Sequence, residues 1–85
     1  MSEYIIMTVL ISHRRDSAKE VQALLTKFGC NIKMRLGLHE ASTSCAEDGL
    51  IILQLTGSKG DILGLERGLN EVEGVKTKVI TMNSD

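Results

Sequence analysis

The stretch that decides the fold is YIIMTVLISHRRDSAKEVQALLTKF, residues 4–28, where the spacing of apolar side chains changes once. Residues 4–11 form a continuous β-branched and apolar run, too short for a helix, which reads as a strand buried on both faces. The polar SHRRDS that follows ends in Ser17, with Glu20 three positions on in capping-box spacing, so a helix is expected to start there. Val21, Leu24, Leu25 and Phe28 then recur at i, i+3, i+4 and i+7. They give that helix one apolar stripe, which Gly29 can terminate.

Downstream the period becomes two. Ile32, Met34, Leu36 and Leu38 are predicted to point one way and Lys33, Arg35, Gly37 and His39 the other, a half-buried second strand. The polar EASTSCAEDG closes on the turn pair Asp48-Gly49, and LIILQL at 50–55 resumes as a third strand, completing a hairpin with a long tip. Gly57 and Gly60 interrupt the pattern, Asp61 can cap, and Ile62, Leu65, Leu69 and Val72 repeat at helical spacing until Gly74. VKTKVITM at 75–82 finishes as an edge strand. This β-α-β-β-α-β order is the split βαβ arrangement of an α+β, ferredoxin-like domain. It implies a four-stranded antiparallel sheet with two helices on one face, strands one and three at its centre, and a single domain over residues 1–85.

Composition narrows the function. Ten basic and eleven acidic side chains leave a net charge of −1, so no long-range field draws the chain to nucleic acid or to an anionic membrane. Tyr4 and Phe28 are too few aromatics for a base-stacking platform, and no apolar run approaches the ~18 residues of a membrane span. No direct nucleic-acid or membrane partner is expected. Cys30 and Cys45 lie in no CxxC spacing and are held apart by the length of strand two, so a cytoplasmic protein with free thiols is expected.

With helices on one face, Ile5, Met7, Val9, Ile11, Ile51, Leu53 and Leu55 are expected beneath them. Tyr4, Ile6, Thr8, Leu10, Leu50, Ile52 and Gln54 then fall on the opposite face, an apolar patch that calls for a partner sheet. Lys33, Arg35, Lys76 and Lys78 are expected to rim it. A homo-oligomer, dimer or tetramer, is the simplest consequence, since small domains bury too little surface alone.

No nucleophile with a base, and no acid–base pair, is placed for catalysis, so the chain is not expected to be an enzyme. An enzymatic alternative with His13 as base would need a lined pocket on the outer face. His13, Arg14, Arg15 and Asp16, in the turn between strand one and helix one, could bind an anionic small-molecule effector at the helix start, or form only a solvated charged loop. GSKGD at 57–61 fits no phosphate-binding spacing and reads as turn chemistry. His39 and Cys45 are the metal-ligand candidates. Two ligands cannot complete a tetrahedral site unless a second subunit doubles the count, so no cofactor or metal is implied by the residues of one chain.

From Leu36 onward, LGLHEASTSC and LIILQLTGSKGDILGLERGLNEVEGVKTKV resemble the C-terminal regulatory, ACT-like domain of the nickel-responsive repressor NikR. The likeness lies in a histidine six residues before a cysteine, an apolar third strand, Gly-Asp opening helix two and Gly-Val opening strand four. That resemblance implies His39 and Cys45 as nickel ligands across a subunit interface. The chain departs from it at Gly37, where the motif has a second histidine, and it shows no DNA-binding ribbon-helix-helix segment. Over residues 4–82, YIIMTVLI, VQALLTKFGCNIKMRLGL and LNEVEGVKTKVI resemble small stand-alone ACT-like proteins known as iron-only hydrogenase system regulators. This resemblance implies a non-catalytic regulatory or interaction module acting on a metalloenzyme system, with a metal-responsive module using His39 and Cys45 as the alternative.

Overall fold

The computed structural model describes residues 2–12, 14–38 and 49–84, the side chains of Arg14, Arg15, Asp16 and Leu38 excepted. Its elements are β1 (Glu3–Ile11), α1 (Arg14–Lys27), a 3-10 turn (Gly29–Asn31), β2 (Ile32–Leu38), β3 (Gly49–Leu55), α2 (Lys59–Asn70) and β4 (Val75–Asn83). The strands form one antiparallel sheet in the order β2-β3-β1-β4, so β1 and β3 are central as their apolar density demands.

Both helices pack on one face. Ile5, Met7, Val9 and Ile11 from β1 and Leu53 and Leu55 from β3 are buried there, against Val21 and Leu25 of α1 and Ile62, Leu65 and Leu69 of α2. Each such side chain contributes about 1.5–3 kcal/mol by leaving water. The helices approach closely because α2 is thin where they cross, a Cβ on Gly68 falling 3.0 Å from Leu24 Cδ2. No helix among the described residues is long and apolar enough to cross a membrane.

Four expectations need correction. The first strand is buried on its helix-facing side only: within one chain Ile6 and Thr8 are half-buried and Leu10 is exposed. Helix α1 begins at Arg14, not at a Ser17 cap. Ser17 lies inside the helix, 4% exposed, and its hydroxyl donates to the Glu73 carbonyl at 2.9 Å, a tertiary bond that outweighs the local capping pattern. Helix α2 is capped by Ser58, not Asp61: the Ser58 Oγ accepts the Asp61 N–H at 3.1 Å, which makes Asp61 a first-turn carboxylate. The GSKGD stretch thus divides into a turn at Gly57, with φ 109°, the cap Ser58 and the first residues of α2.

The fourth correction concerns β2. Ile32 is opposite Leu55 but Met34 is opposite Gln54, so two residues of β2 are spent on one of β3 and the ladder shifts there. This is a β-bulge, and by absorbing one residue it reverses the facing of everything after it. Ile32 packs against the core, whereas Met34 and Leu36 turn to the opposite side of the sheet, 57% and 51% exposed. Arg35, expected on the outer rim, is on the helix side opposite Leu53, where its guanidinium donates to Gln22 Oε1 at 2.8 Å.

Candidate functional site

The open face of the sheet follows from these registers as successive cross-strand rows. At one end Tyr4 stands opposite Met82. The next row crosses all four strands as Met34, Gln54, Ile6 and Ile80. Leu36, Ile52, Thr8 and Lys78 follow, and then Leu50, Leu10 and Lys76. Side chains directly opposite one another are about 4.5–5.5 Å apart at Cβ, so the apolar members form one continuous surface. Among the described residues of these rows, charge enters at the corner where Lys76 and Lys78 of β4 lie beside Leu10 and Thr8.

All seven positions expected on this face share it: Tyr4, Ile6, Thr8 and Leu10 from β1, and Leu50, Ile52 and Gln54 from β3. Sequence reasoning missed four more apolar members. Ile80 and Met82 were legible, since they continue the alternation that carries Lys76 and Lys78 outward. Met34 and Leu36 were hidden by the bulge. The basic rim shrinks accordingly to the β4 corner, with Lys33 at the bulge itself.

His13, His39 and Cys45 lie outside the described residues. Arg14, Arg15 and Asp16 form the first turn of α1, just after Ser12, whose N–H donates to the Gly74 carbonyl at 2.7 Å. Gly74 sits at φ 81°, and a Cβ there would meet the Ser12 carbonyl oxygen at 2.8 Å, so the chain before β4 is held tightly against the end of β1. Cys30 is an exposed free thiol. Among the described residues no group of three or more His, Cys, Asp or Glu could hold a metal ion.

Solved structures carry the same architecture. An uncharacterized protein from Thermotoga maritima superposes with a TM-score of 0.83 over 96% of this chain and 100% of its own, at 23% identity. The fold is ferredoxin-like. A nitrogen regulatory PII-like protein from Thiomonas intermedia, bound to ADP, AMP and bicarbonate, matches with a TM-score of 0.58, 13% identity and coverage of 99% and 97%. A dimeric ferredoxin-like protein of unknown function from Thermobifida fusca gives 0.52 and 11%, covering 96% and 92%. No family model and no curated protein sequence matches the chain. At these identities the likenesses establish the fold alone.

Proposed function

We propose that this chain is a non-catalytic regulatory or interaction module that self-associates through the open face of its sheet. The observation that carries the reading is the largely apolar surface that draws on all four strands, interrupted at its centre by Gln54 and Thr8, with Met34, Leu36, Ile80 and Met82 about half exposed or more in the single chain. Contiguous apolar areas beyond a few hundred Å² are seldom left wet. A second sheet, packed at about 10 Å, would cover this one. The dimeric ferredoxin-like neighbour supports self-association, and the PII-like neighbour supports a regulatory use of the scaffold.

The regulatory part of the reading calls for an effector, and the turn at His13, Arg14, Arg15 and Asp16 offers positive charge for an anionic one. Resemblance to the iron-only hydrogenase system regulators points to a metalloenzyme system as the regulated target. Two measurements test the proposal. Sedimentation at micromolar concentration should give a multiple of the chain mass, and a monomer would reject self-association. Calorimetric titration with ADP, AMP, bicarbonate and small carboxylates should give saturable binding weakened by Arg14→Ala with Arg15→Ala. Heat only from dilution in every titration would remove the effector.

A further inference from the structure

The helix side of the sheet is not fully covered. Between α2 and the edge strand β4 runs a cavity of about 410 Å³, lined on the helix by Lys59, Ile62, Leu63 and Glu66 and on the sheet by Glu3, Ile5, Val79 and Thr81. Its floor is apolar, and Leu63 stands over it 43% exposed. The groove opens at the free edge of β4. That edge is nine residues long, contains no proline and pairs with β1 without a bulge, so beyond Thr77, whose N–H donates to Asn70 Oδ1 at 3.1 Å, it presents a straight row of backbone groups open to a further strand. The opposite edge, β2, is blunted by its bulge. Lys76 and Lys78 guard only the first half of β4, and the uncharged VITMN half is the one beside the groove.

The geometry points to a second copy of this chain docking here, by antiparallel pairing of β4 with the partner's β4 and with Lys59 of each subunit against the partner's Glu66. Of the three charged residues of the lining, Lys59 and Glu66 are matched to each other by one two-fold axis, and Glu3 is left outside that pairing. On the helix wall, Lys59 and Glu66 stand at either end of the lining, and its middle falls at Ile62 and Leu63. On β4 the lining residues Val79 and Thr81 flank Ile80. A two-fold axis beside Ile80 and level with Leu63 therefore brings basic against acidic on both sides, as an isologous contact requires. The same axis sets Lys78 opposite the partner's Met82 and Lys76 opposite the partner's Ser84, so the edge lysines do not meet one another. Each subunit's Leu63 then faces the other across the joined grooves, and the two sheets become one of eight strands with all helices on one side. This interface is independent of the open face, and with an open-face two-fold that meets this axis at a right angle the two close into a four-chain assembly.

Reciprocal charge reversal tests it. Lys59→Glu or Glu66→Lys alone places like charges across the axis, and sedimentation velocity at micromolar concentration should show the mass halved, from four chains to two. The double variant restores opposite signs and should recover the native mass. Leu36→Glu, on the open face, should also halve the mass, but Glu66→Lys will not rescue it, and combined with Lys59→Glu it should give monomers. If open-face association fails, the native chain is a dimer that Lys59→Glu converts to monomer. Native mass in both single variants, or a double variant that stays at half mass, overturns the proposal. Should one reversal prevent folding, as circular dichroism would reveal, the other interrogates the same interface.

Discussion

Leu36→Glu is the most informative single change on the open face. Leu36 projects from β2 opposite Ile52 and is 51% exposed in the chain, so about half of its side chain is available for burial on docking. Full burial of a leucine is worth about 2–3 kcal/mol, so each copy contributes ~1–1.5 kcal/mol, and the two-fold interface is weakened by ~2–3 kcal/mol when both are removed. The introduced carboxylates must also give up water against an apolar sheet, which costs several kcal/mol more. A total of roughly 5 kcal/mol corresponds to between three and four powers of ten in the dissociation constant. Within the subunit the loss is limited to the half already buried, about 1 kcal/mol. Sedimentation velocity over a concentration series should therefore show the open-face pair dissociated at micromolar protein, while urea unfolding remains cooperative. Ala23→Glu, on the exposed side of α1, is the control and should leave the mass unchanged. Unaltered association of Leu36→Glu, with its fold intact, would refute the assignment of this face.

Three further outcomes follow from the fold. Gly74→Ala forces a side chain into a left-handed conformation and against the Ser12 carbonyl, so it should destabilise the subunit by about 2 kcal/mol or more, seen as a lower urea midpoint. Ser17→Ala removes the hydroxyl that satisfies the Glu73 carbonyl and should cost about 1–2 kcal/mol in the same assay. Deleting Lys33 removes the extra residue of the bulge while leaving Ile32 inward and Met34 outward, so the subunit should stay folded and keep its native mass. Loss of association would show that the bulge shapes the interface beyond setting its facing.

How far the molecule was legible in its sequence varies from element to element. The order of strands and helices was readable because β1 and β3 are too apolar to be anything but central, and the stripes Val21–Leu25 and Ile62–Leu65–Leu69 have unambiguous helical spacing. Helix starts were harder, since a serine followed three positions on by an acidic residue occurs at Ser17, at Ser44 and at Ser58. At Ser58 the pattern caps α2, whereas at Ser17 the hydroxyl is turned to a partner 56 residues away that local spacing cannot reveal. The facing of β2 was misread for a related reason. Ile32, Met34 and Leu36 keep perfect alternation in sequence, and a bulge leaves no mark on apolar spacing when both faces of the strand are apolar. On the open face, the contributions of β1 and β3 could be read from alternation alone, but half of the edge contribution depended on that one inserted residue.

The position of β1 also governs how the chain reaches its fold. Its two neighbours come from opposite directions in sequence: β3 from the middle, and β4 from so far along that Ser2 and Ser84, 82 residues apart, are hydrogen-bonded. Pairings of such separation form late, because loop closure must precede any gain from them. Until β4 arrives, the apolar run of residues 4–11 has one edge free, and such segments are prone to intermolecular β-pairing. The strand that gives the subunit its stability is therefore its principal hazard during folding, and the rate at which β4 docks decides how long that hazard lasts.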